Sequence, residues 1–432
     1  MRIWKRLSFL SFLIFFAVDF PTIVHADDSA GQVESSQGGS SALSSLRASG
    51  WTSADYFHSD NHLDTNANFY EMATDLKLSM DFNDSFSGKI EARALDNNEP
   101  NERGGVSSLL EGYLSYRSDQ WHVKLGKQIV AWGRTDGINP TDNLTPHDYV
   151  VMLPFEQDQR VGTPALYADN FVNEELTLSL FATPYFEPTR LPLPLGQADL
   201  VTDKPHSGAE AGVRLNKAGG NLDWSISYYH GHMLFPDLYV QSAASSLPVL
   251  ALTFPEMNVV GADFAFNAGR YGVRGELAYS NVIGSSDDDP FARKPYFYAV
   301  IGADRSFDDD LNVNFQVFGR WIQNYSNPDS TPAAEQQLAV LDAIIGQQQD
   351  RQSFGFTSRI AKKWLNQTLS TEILAVVNCT RRNSYLKPLA SYDATDHLKL
   401  SIGANFYRGP TDSFFGRLSS DSGVFAEGRY SY

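Results

Sequence analysis

YEMATDLKLSMDF (70–82), NDS (83–85) and FSGKIEARA (86–94) decide how this chain is built. In the first segment Tyr70, Met72, Thr74, Leu76, Leu78, Met80 and Phe82 fall on one parity, and Glu71, Asp75, Lys77, Ser79 and Asp81 on the other. Successive side chains of a strand point to opposite faces, so this is a strand with one greasy and one charged side. Asn83-Asp84-Ser85 supplies turn chemistry. The third segment resumes the alternation with Phe86, Gly88, Ile90, Ala92 and Ala94 against Ser87, Lys89, Glu91 and Arg93.

The same dyad returns at 222–230, 311–321 and 397–407. Short turns are expected near 83–85, 118–120, 170–175, 217–220, 267–270, 307–310, 362–366 and 393–396. They alternate with longer polar or proline-bearing connections near 58–68, 96–106, 133–163, 187–206, 233–256, 284–295, 326–352, 379–384 and 408–423. Short turns on one side and long loops on the other are the plan of an outer-membrane barrel. The segments between them predict an all-β, closed antiparallel transmembrane β-barrel of about 18 strands, with about 16 as the near alternative. Closure follows from the solvent, because hydrocarbon offers no partner to an open strand edge. Phe82, Phe86, Trp121, Phe171, Trp224, Phe266, Tyr271, Phe307, Trp364, Tyr392, Tyr430 and Tyr432 cluster at the short turns and the C-terminus. Amphipathic rings collect at the headgroup level, so this row is expected to be the periplasmic girdle.

The ends and the composition narrow the class further. Residues 1–26 begin with Arg2, Lys5 and Arg6, run apolar from Leu7 to Val18 and reach Val24-His25-Ala26, the pattern of a secretory signal peptide. Residues 27–45, Ser/Gly-rich and without hydrophobic period, are expected to form a flexible periplasmic tail, and 46–432 the barrel. The formal charge is -17; removal of Arg2, Lys5, Arg6 and Asp19 leaves -19, a balance that argues against a nucleic-acid partner. A single cysteine, Cys379, forms no internal disulfide.

The leader, the dyad strands and the terminal GVFAEGRYSY resemble Gram-negative outer-membrane β-barrels of the porin-like kind. In that signal the glycine usually stands one place earlier than Gly428 does here. The resemblance implies outer-membrane location, contact with membrane lipid and lipopolysaccharide, and insertion by the barrel-assembly machinery. LGKQIVAWGRTDGINPTDNLTPHDY is also similar to an element of several alginate-export-like families, a strand ending in Trp-Gly and then Asn-Pro-x-Asp; it carries no substrate.

If the apolar set faces lipid, the other set faces the lumen. Arg93, Arg117, Arg214, Arg274, Arg320, Arg359, Glu91, Glu111 and Glu276 are then the pore-lining candidates. So many charges need water or one another, and a barrel of about 16–18 strands is wide enough for water. A lattice of structural ion pairs is the plainer reading, a selectivity ladder the sharper one. The 133–163 connection is long for a compact fold, yet its Asp, Asn, Gly and Pro residues favour consecutive tight turns. It is expected to be an ordered constriction loop, with Arg134, Asp136, Asp142, Asp148 and Arg160 at the narrowest level.

Sharper chemistry finds less support. Asp136, Asp142 and Asp148 lack the spacing of a calcium loop. His147-Asp148, and His230 with His232, come with no G-x-S-x-G or H-E-x-x-H motif. No metal, cofactor or reaction is therefore expected. Residues 332–350 carry Leu338, Leu341, Ile344 and Ile345 at helical spacing and are read as a loop helix capping the mouth, with a protein-partner site as second reading. The expected function is passive passage of small hydrophilic solutes. The alternatives are an interaction or envelope-assembly barrel acting through its extracellular loops, and a barrel enzyme.

Overall fold

A computed structural model describes residues 45–63, 66–97, 106–191, 200–203, 205, 207–242, 249–286, 289, 291–332 and 335–432. The expected leader lies outside the described residues, as does the expected tail apart from Ser45.

In chain order the strands are β1 (Leu46–Leu63), β2 (Asn66–Asp81), β3 (Phe86–Asn97), β4 (Val106–Arg117), β5 (Trp121–Gln128), β6 (Thr163–Phe171) and β7 (Leu176–Thr183). There follow β8 (Leu200–Asp203), β9 (Glu210–Lys217), β10 (Asp223–His232), β11 (Asp237–Ser242), β12 (Val249–Thr253), β13 (Glu256–Ala268) and β14 (Tyr271–Val282). The last are β15 (Tyr296–Ser306), β16 (Leu311–Ile322), β17 (Gln352–Trp364), β18 (Leu369–Asn378), β19 (Asn383–Asp393), β20 (Leu398–Arg408) and β21 (Gly423–Ser431). Helix α1 (Gln336–Ile345) lies between β16 and β17, and α2 (Phe414–Arg417) between β20 and β21.

All but β8, β11 and β12 form one sheet of 18 antiparallel strands, which closes where β1 pairs with β21 from Trp51↔Ser431 to Ser59↔Gly423. The C-terminal residue completes the seam, since Gly50 and Tyr432 exchange backbone hydrogen bonds at 2.9 Å. No edge is left open in the main sheet, which is the condition for crossing hydrocarbon. Among the described residues no helix is long and apolar enough to cross a membrane.

Burial is inverted relative to a water-soluble protein. Leu125 is 62% and Ile402 63% exposed, whereas Asp75 is 2%, Glu276 3% and Asp263 4% exposed. The greasy parity faces outward to lipid and the ionic parity inward. The expected girdle residues Phe82, Phe86, Trp121, Tyr271, Trp364, Tyr392, Tyr430 and Tyr432 are exposed on the outer wall at the short-turn end.

Three expectations need correction. The stretch 58–68 is not a loop: β1 runs to Leu63 and β2 starts at Asn66, because Tyr56, Phe57 and His58 pair on with Tyr70, Phe69 and Asn68. The strand expected to end at Trp132 ends at Gln128, where the chain turns inward, so the long connection spans 129–162. The lumenal face is not uniformly ionic either. Phe181, Tyr229, Met257, Val259, Ala278 and Val282 form one apolar patch on it, and Leu374, Val376 and Tyr385 another. Each seats a loop that folds inward.

Candidate functional site: a long loop pinned inside the barrel

The 129–162 segment leaves β5 through a locked base. Glu111 on β4 accepts the Ile129 N–H (3.0 Å), and Val130 and Thr145 bond to each other twice, N–H to Oγ1 at 3.1 Å and Oγ1–H to carbonyl at 2.5 Å. Between them the chain forms a closed lobe. Trp132, 2% exposed, packs with Val130 and Leu144 onto the first apolar patch of the wall. Gly133 follows with φ 105°, and a Cβ there would sit 2.1 Å from the Asn139 amide that donates to the Trp132 carbonyl. Glycine therefore lets the chain reverse behind the tryptophan.

The lobe's tip is held by one carboxylate. Glu276, inward-facing on β14, accepts from the N–H groups of Arg134 (2.5 Å), Thr135 (2.7 Å) and Thr141 (3.3 Å) and from the hydroxyls of Thr135 (2.7 Å) and Thr141 (2.9 Å). Charged acceptors give the stronger hydrogen bonds. Around this anchor Arg134 bonds to Asp263 on β13 (2.6 Å) and to Asn216 on β9. Asp136 takes two bonds from Arg274 (2.8 and 2.9 Å) and one from Asn314 on β16 (2.7 Å). Burial holds the Asp136 carboxyl above its ordinary range, against the opposing pull of Arg274.

A second arm runs to the opposite wall. Val151 and Leu153 pack on Ala73, Trp51 and Leu95, and Lys387 on β19 donates to the Pro154 carbonyl (2.6 Å). Asp158 accepts from Arg429 on β21 (2.6 Å) and lies 3.9 Å from Arg93 on β3. Both guanidiniums stack on Trp51, at 4.0 and 5.1 Å from its ring centre. Arg160 reaches Asp142 at 3.6 Å and so joins the two arms. Inside this packing, burial pushes Asp142 up to about 7 and Glu156 up to about 8, and it lowers His147 to about 4.

Of the residues expected at the narrowest level, Arg134, Asp136, Asp142 and Arg160 lie in or between the arms. Asp148 instead bonds Arg190 of the β7–β9 connection (2.5 Å) and ties two loops together. Asp136, Asp142 and Asp148 thus have three different partners. Among the described residues no group of three or more His, Cys, Asp or Glu side chains is placed to hold a metal ion.

The lining candidates are mostly paired. Arg93 bonds Asp75 (3.0 Å), Arg214 bonds Asp263 (3.3 Å), Arg274 bonds Asp304 (3.2 Å) and Arg359 bonds Glu372 (2.6 Å). Lys89 bridges Glu91 (2.7 Å) and Glu111. Arg320 lies over Tyr298 and Tyr296, at 4.2 and 4.8 Å from their ring centres, and donates to the Gly346 carbonyl (3.3 Å). Arg117 stands exposed at the short-turn end of β4, away from the loop.

Two features were not anticipated. The 409–422 connection also folds inward: α2 is capped by Ser413, whose Oγ accepts the Gly416 N–H (3.2 Å), and Phe415 and Leu418 pack on Leu374, Val376 and Tyr385. Arg381 clasps this loop to its neighbours, bonding Asp350 (2.6 and 3.1 Å), Asp412 (3.2 Å) and the Gln349 carbonyl (3.2 Å). The aromatic pair Phe414-Phe415 in an otherwise polar stretch was the available signal. Helix α1 forms, but Leu341 and Ile345 are buried on Phe186, Leu238, Leu252 and Phe254, so those side chains are covered by the protein's own loops.

Of the residues considered for catalysis, His147 stacks on Tyr149 (ring centres 5.4 Å apart), His230 lies beside Asn258 and Glu256, and His232 lies beside Phe186 and Glu210. A serine–histidine contact that the sequence did not suggest exists on the wall, Ser115 Oγ to His122 Nε2 at 3.0 Å. The acid opposite that histidine, Asp169, is bonded by Ser179 (2.5 Å).

The family model described as "Protein of unknown function (DUF1302)" matches residues 44–378. No curated protein matches the sequence. Among solved structures, Pseudomonas aeruginosa OccD3 (OpdP) aligns with a TM-score of 0.53 at 10% identity, over 89% of this chain and 91% of its own. OccK5 (OpdH) of the same organism gives 0.53 at 9% identity over 90% and 98%. The outer membrane protein opdK, again from Pseudomonas aeruginosa, gives 0.53 at 8% over 91% and 100%. At such identities the likeness is one of fold: a closed porin-type β-barrel, which fits an outer-membrane location.

Proposed function

The chain belongs to the family described as protein of unknown function DUF1302, and on that premise we propose that it is an outer-membrane channel for passive passage of small hydrophilic solutes, narrowed by the 129–162 loop. The observation that carries this reading is the Glu276 anchor, which fixes the tip of the loop against the wall facing its second arm. A loop held across a wide barrel narrows the lumen to the gaps beside it. The side chains there keep some contact with solvent: Arg274 is 34%, Asp304 20% and Arg134 18% exposed. Arg134 from the loop, with Arg274 and Asp304 from the wall, presents both signs of charge to a passing solute, while Asp136, Asp142 and Arg160 hold the loop's arms from within. Asp148 belongs to the support of the loop.

Liposome swelling tests this. Proteoliposomes of the purified protein should swell in small neutral sugars and discriminate against larger ones, and deletion of residues 135–148 should raise the size limit. Absence of swelling in both proteins would overturn the proposal.

A further inference from the structure

Outward-facing side chains of a lipid-embedded wall are apolar until the headgroups begin. At two places the outer wall departs from that rule in the same way. On β1 and β2, Tyr56 Oη donates to Asn68 Oδ1 at 2.7 Å, and His58 Nδ1 lies 3.0 Å from that oxygen. On β10 and β13, Tyr228 Oη donates to Asn258 Oδ1 at 2.7 Å, and His230 Nδ1 again lies 3.0 Å from the oxygen.

The sequence logic is shared. Tyr56-Phe57-His58 and Tyr228-Tyr229-His230 place tyrosine and histidine two residues apart, hence on one face. The asparagine stands directly opposite the histidine in each pair of strands, His58↔Asn68 and His230↔Asn258. The face is the outer one: Val424, across from His58, and Val260, across from Tyr228, are about half exposed, and Asp55 and Tyr229 next in sequence point inward and are buried. Both clusters sit near the extracellular end of the wall. His58 is one pair below Ser59↔Gly423, where β1 loses its β21 partner, and His230 is two residues from the end of β10. They are eight strands apart around the barrel one way and ten the other, so they lie on nearly opposite sides.

An amide oxygen only accepts, so the imidazole Nδ1 carries the hydrogen and Nε2 is turned away from the asparagine. The first cluster thus offers a tyrosine ring and an imidazole nitrogen fixed in direction. In the second cluster Glu256 lies 3.2 Å from His230 Nε2, so the imidazole holds a carboxylate beside the tyrosine ring. That carboxylate accepts from a hydroxyl. A hydroxyl-bearing ring satisfies both clusters: a hydroxyl meets the imidazole in the first and the acid in the second, and its C–H face meets the tyrosine. We propose that the two Tyr-His-Asn clusters are matched binding sites for the saccharide headgroup of an outer-leaflet glycolipid, one on each side of the barrel.

The proposal requires insertion in the outer membrane but not conduction, so it can fail independently of the channel reading. Native mass spectrometry of the full-length protein in detergent would be run with bisphosphorylated lipid A, its phosphate-free form and phosphatidylethanolamine as separate probes. Two lipid A molecules, with or without phosphates, should stay bound to the unaltered protein; Asn68→Leu should leave one, and Asn68→Leu with Asn258→Leu none. His58→Gln with His230→Gln, which keeps polar side chains at the rim, should weaken retention about tenfold, as expected for losing one to two hydrogen bonds. Heat-modifiable gel mobility reports that each variant is folded. Unchanged retention in the folded double variants, equal retention of phosphatidylethanolamine, or retention of the phosphorylated form alone would each overturn the assignment.

Discussion

Replacing Glu276 by alanine removes the acceptor on which the loop tip hangs. The Arg134 and Thr135 N–H groups, bonded at 2.5 and 2.7 Å, and the Thr141 N–H, bonded more weakly at 3.3 Å, lose their partner, while the two threonine hydroxyls can rotate to others. A buried donor left unsatisfied costs about 1–3 kcal/mol, so the two shorter bonds alone cost about 2–6 kcal/mol of docking free energy. At about 1.4 kcal/mol per decade, the docked-to-undocked ratio of the tip falls about 30-fold to about 20,000-fold. The base of the lobe should stay in place, because burial of a tryptophan such as Trp132 is worth about 3–5 kcal/mol and is untouched. Hydrogen exchange by mass spectrometry should therefore show residues 133–141 exchanging faster in Glu276→Ala while 128–132 and 143–146 keep their protection, and single-channel records should become noisier. Equal exchange across 133–141 in the two proteins would refute the claim that this carboxylate holds the loop.

Glu156 supplies a pH dependence of defined sign. Its folded value of about 8 stands above the ordinary 4.5 because burial disfavours the carboxylate, with Lys387 opposing. Its contribution to docking is thus full below about pH 4.5 and is lost as pH rises through about 8. Protease cleavage within 146–162 should be faster at pH 9 than at pH 5, and Glu156→Gln should flatten that difference; an unchanged slope would contradict the assignment. Arg381→Ala opens the clasp among three long loops and forfeits about 1–3 kcal/mol, mostly through Asp350, since Asp412 is 66% exposed and its pair is screened. Exchange at 409–418 should rise with barrel melting unchanged, and a lowered melting temperature without that local change would count against a clasp.

The barrel was legible because lipid imposes a simple rule on the outer parity, and Tyr70, Leu76, Ile90, Leu125 and Ile402 obey it in sequence as they do in space. The inner parity obeys no such rule. Val259, Ala278 and Val282 are inward yet apolar because the 129–162 loop covers them, so the clean alternation expected of a wet lumen fails at those positions. The loop itself was readable from its length and turn residues. Its anchors were not, since Arg134 and Glu276 are 142 residues apart and only closure of the sheet brings them together. Residues 58–68 show the opposite case: their polar composition suggested a loop, but β1 and β2 pair on from His58↔Asn68 to Leu63↔Asn66, past the last β1–β21 pair at Ser59↔Gly423.

Planar-bilayer recording tests the central claim most directly. The purified protein should give discrete single-channel steps, and deletion of residues 135–148 should enlarge them because the lobe no longer occupies the lumen. A deletion protein that remains a folded barrel and conducts no more than the parent would contradict a constriction formed by this loop.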